Sequence, residues 1–302
     1  MEGLILRSLG GFYTVISEDG TRTECRGRGI FRKDQTTLLV GDRCSFEPTE
    51  PGCGSITAIA PRKNTLQRPP VANLDRLALV ISLADPAPNA LVIDQLTAIA
   101  ARREIPVVMI FTKPDLADPA PWVEIYRKAG YPTAVVNNLT GEGLETASLL
   151  LRGGITAFCG NSGAGKSSLM NALYPELGLA TGEISKKLGR GRHTTRHVEL
   201  FPDGHGGWLC DTPGFSALEF TRSEPMPAAE LAECFPEMER YKDRCRYTGC
   251  SHRTEQGCAV LEAVREGLIP ESRHKSYIAI YNELKELKEW ELAKAGRSPG
   301  GT

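Results

Sequence analysis

The chain is 302 residues long, 41% hydrophobic and 24% charged, with a formal net charge of -1. Its length implies two or three domains, and its composition excludes a disordered or fibrous protein. The near-balanced charge excludes a uniformly basic nucleic-acid binder and leaves only local patches for phosphate contact. The N-terminal MEGLILRSLGGFYTV has no cationic stretch leading into an apolar run. No window approaches the roughly 18 apolar residues of a membrane helix, so a cytoplasmic protein without a membrane partner is the expectation. Nine cysteines are present, and in a reducing compartment they favour metal binding over disulfides. Cys25, Cys44, Cys53, Cys159, Cys210 and Cys234 are scattered, whereas Cys245, Cys250 and Cys258 cluster around His252.

Residues 1–66 read as short alternating runs, Phe12 to Ile16 and Thr37 to Val40 among them, punctuated by Gly10-Gly11, Asp19-Gly20 and Gly41-Asp42. This pattern predicts a small β-barrel. Residues 62–70 are polar and basic and close on a double proline, which predicts a linker. From Asp75 onward, apolar runs at 77–83, 107–111, 133–136, 155–159 and 207–210 alternate with helical patterns at 89–103 and 142–152. Such alternation predicts a parallel sheet covered on both faces, an α/β domain spanning residues 67–221. After Phe220 the composition turns to Pro, Glu, Cys and Arg. There Tyr277, Ile280, Tyr281, Leu284, Leu287 and Trp290 recur three or four residues apart, predicting one long helix at 272–295 within a C-terminal domain of residues 222–302.

The strongest motif is Gly160-Asn161-Ser162-Gly163-Ala164-Gly165-Lys166-Ser167, followed by Ser168, between an apolar strand and a helical segment. Glycines let backbone N–H groups close around phosphate oxygens, Lys166 reaches the β and γ phosphates, and the Ser167 hydroxyl suits Mg²⁺. Thr112-Lys113-Pro114-Asp115 follows the 107–111 strand and resembles the base-reading motif of GTPases, with Thr112 where Asn is commoner. The Asp115 carboxylate would accept from guanine N1–H and the exocyclic amine, a donor pair adenine lacks. Asn137-Asn138 stand where these enzymes carry a third base-contacting loop. Asp211-Thr212-Pro213-Gly214 fits the switch that reaches Mg²⁺ through Asp211 and senses the γ-phosphate through the Gly214 amide.

The order of these motifs departs from the usual one, in which the phosphate loop comes first and the base reader last: here the base reader at 112 precedes the phosphate loop at 160 and the switch at 211. The chain is therefore a circular permutation, a rearrangement that compact domains with neighbouring termini tolerate. One consequence is that the switch leads directly into the C-terminal domain. Between phosphate loop and switch, residues 186–197 hold five Lys or Arg and no acid. This segment suits a nucleotide-sensing loop that also touches RNA phosphate. Thr195 is the candidate switch threonine on Mg²⁺ and γ-phosphate, with Thr194 as the near alternative. Phe215 occupies the place of a water-orienting Gln; His193 is the candidate substitute, against an RNA-contacting or structural role. Last, Cys245, Cys250, His252 and Cys258 lie within 14 residues, and three thiolates with one imidazole saturate a tetrahedral Zn²⁺, predicting one structural ion per chain.

Nearly end to end, the chain resembles the RsgA (YjeQ/YloQ) family of ribosome small subunit-dependent GTPases. The resemblance rests on Cys25-Arg26-Gly27-Arg28-Gly29, Val40-Gly41-Asp42-Arg43, Pro61-Arg62-Lys63-Asn64, Val71-Ala72-Asn73-Leu74-Asp75, and the phosphate-loop, base-reading, switch and cysteine motifs. It implies an OB-fold barrel, a circularly permuted P-loop GTPase domain and a zinc-binding helical domain. It further implies GTP hydrolysis stimulated by the small ribosomal subunit and its rRNA during late maturation, with GTP and GDP as ligands. A monomer is expected. The rival reading is an RNA-binding chaperone that uses nucleotide only for stability.

Overall fold

The computed structural model describes residues 1–34, 36–67, 70–175, 178, 198–211 and 226–286. Strands β1 (Glu2–Leu9), β2 (Phe12–Ser17) and β3 (Arg22–Gly27) are followed by a short helix α1 (Gly29–Lys33), then by β4 (Arg43–Glu50) and β5 (Cys53–Ile59). They pair in the order β1-β2-β3-β5-β4, and β4 returns to β1, so the five strands close on themselves as an OB-fold barrel. Inward residues Ile5, Val15, Cys25, Cys44, Phe46 and Ile56 fill it. Burial pushes the Cys25 and Cys44 thiols up to about 11 and about 12, so both serve as apolar filling rather than as reactive groups.

The run 37–40, expected as a strand, is irregular: only Val40 bridges, to Val71. Leu39 O and Val40 O accept from the backbone N–H groups of Asp42 and Ala72, and side chains satisfy others. The fully buried Asp42 carboxylate accepts from Leu39 N–H at 2.7 Å and from Arg62 Nε at 2.7 Å, while Arg62 Nη2 donates to Thr37 O at 2.5 Å. Residues 62–64, the start of the segment expected as a linker, are correspondingly a polar clasp. After it come β6 (Thr65–Gln67) and β7 (Pro70–Ala72), an antiparallel pair. The Asn64 side chain mimics a strand partner, donating to Leu74 O at 2.9 Å and accepting from Leu74 N–H at 2.8 Å. Asn73 donates to Gly41 O at 2.9 Å, and Lys63 pairs with Asp75 at 2.5 Å. Gly41 has φ 90°, and a Cβ there would stand 2.2 Å from Ala72 O, so only glycine fits this crossing. Arg62→Met should lower stability by about 3 kcal/mol, because Asp42 is left buried without its cation. Thermal unfolding checks this, and an unchanged midpoint would show that the clasp is dispensable.

The second domain contains β8 (Arg76–Ser82), α2 (Ala90–Arg102), β9 (Val107–Thr112), α3 (Ala120–Lys128), β10 (Thr133–Val136), α4 (Leu144–Leu151), β11 (Ile155–Cys159), α5 (Lys166–Leu173), β12 (Glu199–Pro202) and β13 (Trp208–Asp211). The order is β10-β9-β8-β11-β13-β12, parallel except for β12, which also meets β1 of the barrel. Alternate residues of β8 go to opposite faces, as the two-residue period requires. Leu77, Leu79 and Ile81 pack with Ile93, Leu96 and Ile99 of α2, while Ala78 and Val80 pack with Ala147 and Leu151 of α4 and Leu169 of α5. Continuous apolar strands are the signature of this double cover.

Residues 226–286 form the third unit: a 3₁₀ helix (Ala228–Cys234), loops, α6 (Ala259–Arg265) and α7 (Glu271–Lys285). The long helix expected at 272–295 is thus seen to Lys285, and Leu287 and Trp290 lie outside the described residues. Its apolar residues Tyr277 and Ile280 join Leu231, Phe235 and Met238 in the same core that holds the outer face of α2.

One buried residue ties these units together. Arg273 of α7 is fully buried. It donates to Glu237 at 2.6 and 3.1 Å, to Asp94 of α2 at 2.6 Å and to Thr97 of α2 at 3.1 Å. Its guanidinium carbon lies 4.5 Å from the centre of the Phe235 ring, and Tyr126 of α3 donates to the same Asp94 oxygen at 2.9 Å. Burial alone would push the guanidinium down, but Asp94 and Glu237 hold it well above its ordinary value, so the cation persists.

Candidate functional site

Chain reversal in the sheet locates a crevice. From β8 the chain moves outward to β9 and β10, then crosses to β11 on the other side of β8. In open α/β sheets a ligand crevice forms beyond the carboxyl ends of strands where the order reverses. The ends of β8, β9, β10 and β11 carry Ser82, Thr112, Val136 and Cys159, and every described nucleotide motif continues from one of them or from β13.

Residues 160–167 leave β11 and run into α5, so the helix N-terminus opens at Lys166. Gly160 approaches the neighbouring strand so closely that a Cβ would stand 2.2 Å from Val80 O, which no side chain survives. Gly163 and Gly165 have φ of 82° and 85°. Lys166 Nζ donates to Gly160 O at 2.7 Å and Asn161 O at 2.8 Å, lying across its own loop. Beneath it, burial pushes the Cys159 thiol up to about 12, which leaves it inert.

The loops that follow β9 and β10 are bonded directly to this loop. Thr112 Oγ1 donates to Ala164 O at 2.8 Å, and Asn138 Nδ2 donates to Gly165 O at 3.3 Å. Two successive carbonyls are therefore held by two different strand ends, and Asn138 Oδ1 is a buried acceptor without a partner among the described residues. Asn137 turns its own loop, accepting from Leu139 N–H at 2.9 Å. Lys113 has φ 62° and donates through Nζ to Asp85 O, fastening the loop between β8 and α2. Pro86 of that loop sits over Gly163, its Cδ 3.4 Å from where a Cβ would stand. Asp211 ends β13, next to β11. Gly214, His193, Thr194, Thr195, the basic run 186–197 and Phe215 lie outside the described residues.

The second cluster gathers Cys245, Cys250, His252 and Cys258, with ligand atoms all within 4.8 Å of one another. Cys245 Sγ is 3.8 Å from Cys258 Sγ, and each is 3.5 Å from His252 Nδ1. A tetrahedral ion with Zn–S near 2.3 Å and Zn–N near 2.0 Å requires separations of about 3.8 and about 3.5 Å, so the donor set fits zinc. His252 has φ 57°. The Glu255 carboxylate accepts from Ser251, Arg253 and Thr254 N–H groups at 2.9 to 3.1 Å, which shapes the loop between the second and fourth donors. α7 closes it from behind: His274 Nε2 meets His252 O at 2.8 Å, and the Tyr277 hydroxyl donates to Ser251 O at 3.0 Å.

Sequence reasoning missed Arg273 and the fastening of the 83–89 loop. A signal for the first existed in Asp94, a lone acid inside the apolar run Ala90 to Ala101.

Comparison with known proteins agrees with this architecture. The family model described as RsgA GTPase matches residues 59–221, and the RsgA N-terminal domain model matches residues 2–56. The small ribosomal subunit biogenesis GTPase RsgA of Moorella thermoacetica is 44% identical over 286 residues, covering 94% of this chain and 97% of that protein. Its namesake in Geobacillus kaustophilus is 45% identical over 293 residues, covering 95% and 98%. The crystal structure of YjeQ from Thermotoga maritima superimposes with a TM-score of 0.80 at 33% identity, covering 95% of this chain and 99% of that one. The structure of YloQ, a circularly permuted GTPase, gives 0.79 at 33% identity, covering 95% and 96%. With a permuted P-loop GTPase fold, a closed barrel in front and a Cys₃His cluster behind, the chain belongs to the RsgA GTPase family.

Proposed function

We propose that this GTPase works on the small ribosomal subunit, docking in its GTP form on immature subunits and leaving when the subunit stimulates hydrolysis late in maturation. The observation that supports the catalytic half is the hydrogen bonding of both base-side loops, through Thr112 and Asn138, to the carbonyls of Ala164 and Gly165. The ribosomal half is supported by relatives named small ribosomal subunit biogenesis GTPases.

In this reading residues 160–168 cradle the phosphates of GTP, and Lys166 neutralises charge on the transferring group. Asp115 reads guanine from a turn shaped by Thr112, Lys113 and Pro114. Ser167 and Thr195 would hold Mg²⁺, with Asp211 reaching it through water; the ion offsets phosphate charge. The Gly214 amide senses the γ-phosphate and His193 orients the attacking water. The Cys₃His donors would hold one Zn²⁺ as a closed structural site. The barrel of residues 1–66 meets rRNA, residues 67–221 form the GTPase unit and residues 222–302 the zinc unit of a cytoplasmic monomer.

Hydrolysis measured with and without purified small subunits tests the reading; an unstimulated rate would leave only the chaperone role. Asp115→Asn should weaken GTP binding by about 10²-fold, because a charge-assisted donor pair is lost. The same variant should gain affinity for xanthine nucleotide, whose 2-oxo group accepts where guanine donates. Competition between the two nucleotides checks it, and undisturbed preference for GTP would remove Asp115 from the base site.

A further inference from the structure

The nucleotide crevice and the Cys₃His unit are joined by an unbroken series of contacts that does not pass through the switch. At one end, Pro86 covers Gly163 of the phosphate loop and Lys113 of the base loop holds Asp85 O. This short loop leads into α2, which Asn89 caps by accepting from Val92 N–H at 3.3 Å. Asp94 and Thr97 follow on the first two turns of α2, both buried and both bonded to Arg273 of α7 at 2.6 and 3.1 Å. At the other end, α7 holds the Cys₃His loop through His274 and Tyr277. Arg273 therefore faces α2, while the next residue along faces the metal-ligand loop.

We propose that Arg273 is a positioning residue for the nucleotide site: through Asp94 and Thr97 it sets α2, and with it the loop 83–89 that lies against the phosphate loop. A purely structural arginine would need only its Glu237 partner, which neutralises it within its own unit. The second carboxylate and the hydroxyl both come from α2, so the fixed charge is spent on the relation between the two units. Packed elements held by ionic networks shift as bodies rather than deform continuously, and any coupling between two sites is reciprocal. Nucleotide binding should accordingly firm up α7, and loosening the α2 grip should weaken nucleotide binding. The proposal rests on residues 160–168 being the phosphate loop.

The test uses the full chain with its metal. The double variant Asp94→Asn/Thr97→Val loosens the α2 side while Glu237 still neutralises Arg273. It should bind a fluescent-labelled GDP about tenfold more weakly than the parent, the usual size of an intersite coupling. Zinc content should be unchanged, and Thr97→Ser, which keeps the hydroxyl, should bind like the parent. Affinity within about twofold of the parent in the zinc-loaded double variant overturns the proposal. If that variant does not fold, hydrogen exchange on the parent decides. Added GDP should slow amide exchange in residues 271–280, and no change there overturns the coupling. Lys166→Ala run alongside separates the two ideas: if it leaves GDP binding intact, the phosphate-loop reading falls and the proposal with it. If only the α2 variant binds normally, the coupling alone falls.

Discussion

Lys166→Ala is expected to lower GTP turnover by about 10³-fold, the usual cost of removing one preorganised charge from a developing oxyanion. The fold should survive, because the amine donates to carbonyls of its own loop, Gly160 O and Asn161 O, and the loop is independently held. Gly160 is locked against Val80, and Thr112 and Asn138 grip the carbonyls of Ala164 and Gly165. The lysine is thus carried by a rigid frame and can transfer its hydrogen bonds to phosphate without rebuilding that frame. Single-turnover phosphate release measures the rate, with a thermal melt as control. A variant that folds and turns over within about tenfold of the parent would mean that Lys166 does not face the transferring phosphate.

The frame that carries the nucleotide motifs was legible because each part is short and local. The glycine-rich run Gly160 to Ser167 joins a strand to a helix as its sequence setting predicts, and the 77–83, 107–111, 133–136 and 155–159 runs were apolar without interruption because they are covered on both faces. The run Thr37 to Val40 misled for the opposite reason. Its alternation was real, since Leu38 and Val40 are buried, but its hydrogen bonds go to Asp42, Arg62 and Ala72 rather than along a strand ladder. Pattern reports which side chains point inward and says nothing of who satisfies the backbone. Residues 62–64 misled likewise: Arg62, Lys63 and Asn64 look like solvated linker residues until Asp42, Asp75 and Leu74 are brought opposite them. Arg273 is the extreme case, with partners 36, 176 and 179 residues away, and no local window contains such a relation.

The Cys₃His cluster carries the other large expectation. Purified protein should contain about one zinc per chain, and Cys258→Ala should lose it and lower the melting midpoint by about 10 °C or more. Cys258 is the most consequential of the four because it has two tasks: its sulfur sits 3.8 Å from Cys245 Sγ among the metal donors, and the same sulfur caps α6 by accepting from Leu261 N–H at 3.5 Å. Cys245→Ala removes a donor without touching that cap, so the difference between the two midpoints isolates the cap, worth about 1 kcal/mol. Loss of the ion should reach beyond the loop. His274 and Tyr277 hold the loop's carbonyls from α7, and Phe235, 5.4 Å from Tyr277 ring to ring, lies against Arg273. A chelator that strips zinc should therefore also raise hydrogen exchange in α2, where Asp94 and Thr97 depend on Arg273. Protein that melts at the parent midpoint after its metal is removed would show that four reduced side chains hold this unit by packing alone.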